Sequence, residues 1–358
     1  MTANVYFMRA KSNEPLKDIQ NKIRLLFTSA GLESCIEHND MTAIKIHFGE
    51  KGNNTHIPAT YVLPLSQLVE KHGGKPFVTD TNVLYKSQRS DAVSHIKLAQ
   101  GHGFTVNTCG APVIITDGLR GINEIKVTIN GELFKEVSIA TEAISANSLF
   151  VYTHPTGHIN TGFGGTLKNL GMGLASRMGK LRQHSTVKPW VVSENCTRCG
   201  QCMKWCPVDA IEWKNEAAHI VEEICIGCGE CLTVCRFDAV KFAWKTSGAD
   251  LQKRIAEHAL GAVLDKKEKT GYFSFLMNVT KDCDCFGVKQ KPVFEDIGIL
   301  ASRDPVAIDQ ATLDVIHQET GKQLKEFCYP EIDDTVQLAH AEKIGMGTRE
   351  YQLKEISH

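Results

Sequence analysis

The chain has 358 residues, with 40 basic against 41 acidic side chains and 42% hydrophobic residues. This composition excludes a disordered chain, and its balanced charge supports neither a nucleic-acid stripe nor a membrane-surface patch. Residues 1–11 lack the apolar run of a signal peptide, and no window reaches the roughly eighteen apolar residues of a membrane span, so we expect a soluble, cytoplasmic protein. In chain order, short apolar runs predict buried strands at 5–8, 43–48, 76–80, 113–116 and 148–153. Amphipathic stretches at 16–30, 61–71 and 90–100 predict helices between them, each stopping near a glycine. After residue 246 the pattern resumes, with a helix at 251–264, a strand at 272–279 and a helix at 305–317 that has Pro305 in its first turn. Strand–helix alternation predicts an α/β domain with a mostly parallel sheet covered on both faces. We read it as discontinuous, formed by 1–187 and 246–358 and interrupted by a compact insert at 188–245.

The insert holds eight of the thirteen cysteines. Cys196, Cys199, Cys202 and Cys206 form one run and Cys225, Cys228, Cys231 and Cys235 a second, both spaced C-x2-C-x2-C-x3-C. The constant offset also pairs Asp209-Ala210 with Asp238-Ala239. In a long chain without an export signal, such cysteines point to metal or redox chemistry rather than disulfides. Zinc sites usually present two C-x-x-C pairs, not two quartets. The segment resembles a bacterial two-cluster ferredoxin, an α+β module carrying two [4Fe–4S] clusters. In that motif the fourth cysteine of each run serves the other cluster. The resemblance therefore implies one cluster on Cys196, Cys199, Cys202 and Cys235, and another on Cys225, Cys228, Cys231 and Cys206. Arg236 stands where the counterpart of Pro207 is expected. Ile220, Ile224, Ile226, Val234, Val240 and Phe242 are expected to wrap the clusters and keep water out.

A second segment dense in chemistry, residues 154–184, directly follows the strand at 148–153. Ligand sites in open α/β sheets gather at strand carboxyl ends. Gly162, Gly164, Gly165 and Thr166 could present backbone N–H groups to an anion, with Lys168 as a point charge. A phosphate-bearing cofactor such as a flavin nucleotide would fit that role, and the alternative is a tight turn whose glycines pack a helix onto the sheet. His154 and His158 are either a metal-binding pair or ordinary hydrogen-bonded histidines. Cys283 and Cys285 follow the strand at 272–279 and could hold a soft metal, form a redox dithiol, supply a nucleophile or be free thiols in a turn. Asp282 and Asp284 beside them would raise thiol pKa values. Asp304 reads as a helix N-cap, with Asp309 one turn in.

Two family resemblances extend this reading. Residues 45–50, 154–168, 281–285 and 296–311 resemble the iron–sulfur proteins grouped as domain of unknown function 362 (DUF362). The stretch from His158 through Lys168 to His184 is similar to the active-site loop of nickel-pincer lactate racemases. There a lysine anchors the cofactor, one histidine ligates nickel and the other is an acid/base. The resemblance places His158, Lys168 and His184 in those roles, although the family's aspartate–threonine–arginine segment is not evident. Three functions follow as expectations. One is an oxidoreductase that takes electrons from ferredoxin or another donor and passes them to a small anionic substrate at 162–168. The others are a non-catalytic electron carrier and a racemase-type metal enzyme with structural clusters.

Overall fold

The structure, a computed structural model, describes residues 2–185, 188–243 and 248–357. An eight-stranded sheet organises it. The strands are β1 (Ala3–Arg9), β2 (Met41–Lys45), β3 (Lys75–Asp80), β4 (Val113–Ile115), β5 (Ser148–Thr153), β6 (Thr270–Leu276), β7 (Gly298–Ser302) and β8 (Tyr351–Glu355). Across the sheet they stand in the order β8-β1-β7-β6-β5-β2-β3-β4. Five neighbouring pairs run parallel, and β7 alone is antiparallel to both its neighbours. The expected α/β class with a mostly parallel sheet is therefore the one that forms.

The strands alternate between two cores. In β5, Leu149 and Val151 enter one core while Phe150 and Tyr152 enter the other. A strand buried on both faces must read as a continuous apolar run, which is why the sequence exposed it. Helices α1 (Leu16–Ser29), α2 (Leu63–Lys71) and α3 (Ala92–Gly101) cover the Phe150 face. Following them are α4 (Thr166–Gly171), α5 (Arg177–His184), α6 (Gly248–Val263), α7 (Pro305–Thr320) and α8 (Val336–Lys343). Of these, α4, α6, α7 and α8 cover the Leu149 face.

Two strands escaped the sequence pattern. β7 is fully buried but reads Gly-Ile-Leu-Ala-Ser, a composition poor in strand formers. β8 is a largely exposed edge strand with no apolar run.

Five sheet strands precede the cysteine segment and three follow it. The flanking helices meet again, because Arg254 Nη1 in α6 donates to the Arg182 carbonyl in α5 at 2.8 Å. Between them, the ribbons Trp190–Val191 with Val240–Lys241 and Ile211–Lys214 with Ala217–Ile220 stand outside the main sheet. The expected joints at 187/188 and 245/246 fall against residues 186–187 and 244–247, which lie outside the described residues. Among the described residues no helix is long and apolar enough to cross a membrane.

Candidate functional site: two cysteine quartets beside a cationic cavity

The sequence repeat of the insert is also a repeat of backbone geometry. Gly200 and Gly229 each take positive φ before the short helices Gln201–Trp205 and Glu230–Val234. Asp209 and Asp238 take φ of 50° and 55°. Each of those turns aims the next amide at a sulfur. Ala210 N–H donates to Cys206 Sγ at 3.2 Å, and Ala239 N–H donates to Cys235 Sγ at 3.3 Å. Ala218 N–H donates to Cys196 Sγ at 3.5 Å.

The quartets line two separate small cavities. Cys196, Cys199, Cys202 and Cys235 wall one, together with Trp213 and Val240. Cys206, Cys225, Cys228 and Cys231 wall the other, with Ile211 and Ile220. The fourth cysteine of each run thus stands with the other run. Among the described residues, no three donor atoms of these quartets fall within 4.8 Å of one another. A single tetrahedral zinc with bonds of about 2.3 Å would need sulfurs roughly 3.8 Å apart. The sulfurs thus stand farther apart than one tetrahedral ion requires. Of the residues expected to wrap the clusters, Ile220 and Ile226 line one cavity and Val240 the other, whereas Ile224 is 49% exposed and Phe242 turns away to pack with Leu84 and Leu181.

The quartets differ in setting. Cys199 is exposed, whereas Cys228 and Cys231 are buried against the main body. At that junction Arg177 Nη1 pairs with Glu230 Oε1 at 2.6 Å, both side chains almost fully buried. Gly229 approaches Leu84 so closely that a Cβ there would lie 2.5 Å from Leu84 Cδ1. Leu84 also lines a cavity of about 390 Å³ in the main body.

That cavity opens at the carboxyl ends of β2, β3 and β5. Lys45 and Asp80 end β2 and β3, and their side chains pair at 3.2 Å. Lys45 Nζ also donates to Asn169 Oδ1 at 2.7 Å. Arg89 binds Glu50 through Nε at 3.2 Å and donates to His47 Nε2 through Nη1 at 2.8 Å. His158, Lys168 and His184, expected as a catalytic group, all line this cavity. The Lys168 ammonium makes no hydrogen bond or ion pair among the described residues. Burial, assisted by Arg89, lowers its pKa to about 8. Burial and the Lys168 charge hold His158 well below its ordinary value and lower His184 to about 4. His158 Nδ1 accepts two backbone N–H bonds, from Asn160 and Thr161, each at 3.2 Å. The neutral ring therefore carries its proton on Nε2 and serves as a donor.

The glycine segment does not cradle an anion. Residues Gly162–Gly164 form a ribbon with Thr156–His158. The amides of Thr166 and Leu167, which open α4, donate to the Asp309 carboxylate at 2.7 and 2.9 Å. A phosphate at that helix end would meet a carboxylate already in place, so the expected flavin phosphate does not fit there. Gly164 and Gly165 line the cavity, whereas Gly162 and Thr166 do not. Asp304 caps α7 as expected, with its Oδ1 accepting from the Val306 and Ala307 amides. Asp309 caps a different helix, α4.

Cys283 and Cys285 also face this cavity, with their sulfurs bonded to each other. A ring nitrogen of His158 lies within 4.8 Å of both. The expected partner was His154, but its nitrogens are engaged elsewhere. Nδ1 bonds Asp284 Oδ2 at 2.9 Å, and Nε2 faces the Met277 and Asn278 carbonyls at 3.1 Å. Burial works against charge on this pair, yet the mutual attraction wins. The His154 pKa is raised and the Asp284 pKa lowered.

Compared with known families, residues 42–314 match the one described as domain of unknown function (DUF362). The chain belongs to the DUF362 family. No curated protein matches it. Among solved structures, the lactate racemase apoprotein from Thermoanaerobacterium thermosaccharolyticum superposes with a TM-score of 0.42 and 12% identity. The match covers 85% of this chain and 55% of that one, so this chain spans just over half the length of the racemase.

Lys45, His47, Asp80 and Arg89 of this DUF362 chain were missed as site residues by sequence reasoning. Lys45 and His47 come from the end of β2, Asp80 from the end of β3 and Arg89 from the loop beyond it, so no one local motif unites them. The usable signal was positional, because Lys45 and Asp80 are charged residues closing apolar strands. Inside a buried sheet such charges need a functional or pairing reason.

Proposed function

We propose that this protein is an iron–sulfur oxidoreductase whose insert, near 188–245, feeds electrons to a small anionic substrate in the 390 Å³ cavity. The observation that carries this reading is the position of Leu84, which touches the buried quartet's loop at Gly229 and lines the cavity. [4Fe–4S] groups on the two crossed quartets would supply low-potential single electrons. The exposed Cys199 side is the entry face, open to ferredoxin or another donor, and the buried side faces the cavity. Amides of Ala210, Ala218 and Ala239 bond to sulfur and stabilise negative charge there. In the cavity, Lys168 binds the anion without an internal competitor. His158 offers Nε2–H as a hydrogen-bond donor to developing negative charge. His184 lines the same cavity and is kept neutral by burial and the Lys168 charge.

A second reading places a metal on His158, Cys283 and Cys285, whose donor atoms lie within 4.8 Å of one another. It ranks second because His158 would have to surrender its two amide bonds or its Nε2 proton. Metal and sulfide analysis of anaerobically purified protein separates the two. The first reading expects about eight irons and eight sulfides per chain and no stoichiometric second metal. It also expects Lys168→Met to weaken binding of small carboxylates at least roughly tenfold, as loss of a charge-assisted contact should. Far fewer irons, or unchanged anion affinity in that variant, would overturn it.

A further inference from the structure

We propose that Cys283 and Cys285 form a reversible dithiol that collects electrons delivered one at a time and releases them as a pair inside the cavity. This inference rests on the reading that the insert sends electrons toward that cavity. Iron–sulfur groups exchange single electrons, whereas most small organic anions are reduced two electrons at a time. A two-electron acceptor between them resolves the mismatch, and the Cys283–Cys285 pair stands where one is needed.

Three observations support the assignment. The first is connectivity to the insert. Tyr85 Oη lies 3.3 Å from the Cys285 carbonyl and 3.4 Å from Glu50 Oε2, and its one proton can serve either. Its chain neighbour Leu84 is the residue against Gly229. Two adjacent residues thus span the gap between the buried quartet's loop and the dithiol. The second is the treatment of the neighbouring acids. An adjacent free carboxylate would oppose thiolate formation. Here Asp284 is bonded to His154 and to the Thr55 hydroxyl, while Asp282 accepts from Tyr329. A ring nitrogen of the neutral His158 lies within 4.8 Å of both sulfurs, and the Lys168 ammonium lines the same cavity. The third is anchoring. The Glu50 amide donates to the Asp284 carbonyl at 2.9 Å and Phe286 N–H to the Cys283 carbonyl at 2.9 Å, so the turn keeps its shape when the sulfurs part. Cys35, Cys109 and Cys328 are free and buried in the packed cores, where none faces the cavity.

The step balances as follows. The S–S bond breaks on taking up two electrons, one from each of two single-electron iron–sulfur donors, which are oxidised. Two protons from water at the cavity mouth convert the two thiolates to thiols. In the return step the substrate takes two electrons and two protons, and the S–S bond forms again.

The test is a reductive titration of the anaerobic holoprotein with photoreduced deazaflavin, followed by iodoacetamide and mass spectrometry of peptide 282–289. Wild type should take up about four electrons per chain, and the double variant Cys283→Ser/Cys285→Ser about two, given one electron per cluster and two per disulfide. In wild type, both cysteines should be alkylated only after reduction. Uptake of about two electrons by wild type, with no reduction-dependent alkylation, overturns the dithiol while leaving the cluster reading intact. Uptake of none overturns both. A stoichiometric metal that shields both thiols in either state overturns the dithiol in favour of a ligand role. The wild-type titration and alkylation decide the matter even should the double variant fail to fold.

Discussion

Lys168 has its ammonium in a cavity whose other cations are largely spoken for. Lys45 is held by Asp80 and Asn169, and Arg89 by Glu50. Its pKa near 8 gives a directional test. The charge is present below that value and lost as pH rises through it. Anion affinity measured by calorimetry should therefore fall above about pH 8, by up to about tenfold per unit, and Lys168→Met should flatten the profile. Asp309 works in the opposite sense. Burial raises its carboxyl from an ordinary value near 3.8 to about 7, against the pull of the two amides it caps. A carboxyl whose folded pKa is raised holds its proton in the fold, so stability from this group falls as pH climbs from about 4 to about 7. Asp309→Ala leaves the Thr166 and Leu167 amides buried without partners. We expect it to cost roughly 2–4 kcal/mol in urea unfolding, the usual range for two stranded donors. For His154 and Asp284 the signs differ again. The raised histidine stabilises the fold below its ordinary value near 6.5, and the lowered aspartate above its ordinary value near 3.8. The turn they hold is firmest between those limits. At this scale the sequence was most legible where spacing is rigid, as in the eight cysteines. It was least legible where a side chain's task depends on an element far along the chain. Nothing within 166–171 announces that Asp309 caps it.

Elements carry the joint between insert and body. The buried Arg177–Glu230 pair binds α5 to the short helix Glu230–Val234, and Arg177 also donates to the carbonyls of Val83 and Ser90. Removing one partner strands a buried charge, which typically costs about 3–5 kcal/mol. Glu230→Ala should therefore loosen the insert, seen as faster amide exchange both at 230–234 and at 83–90. Exchange confined to the insert would show that the pair does not couple the two. The strand at 148–153 could be read because burial on both faces leaves an apolar run from Leu149 to Tyr152. β7 could not, because glycine, alanine and serine fill a strand whose neighbours supply the bulk. The expected helix at 61–71 starts later, after a 3₁₀ turn at Ala59–Tyr61 and with Pro64 in its first turn.

Across the whole molecule, crossed grouping makes a prediction that a sequential grouping does not. Cys206 belongs to the first run but lines the buried cavity, and Cys235 belongs to the second run but lines the exposed one. Cys206→Ala should halve the iron and leave the remaining group open to chelators. Cys235→Ala should also halve it and leave a group that resists them. Equal chelator sensitivity in the two variants would argue against the crossing. The α/β class and the interruption by cysteines were legible because they rest on periodicity and spacing. The convergence of β2, β3 and β5 on one cavity was not, because strand order is a property of the assembled sheet.

That strand order also sets a schedule. β1 pairs Val5 with Ser302 on one side and with Leu353 on the other. On the ribosome, β1 emerges long before either of its neighbours and is thus among the last strands to pair. Val5, Phe7 and Met8 stay bare while the cysteine segment is already outside the exit tunnel. A cell making this protein would need to shelter that apolar strand until its partners near 300 and 353 have been made.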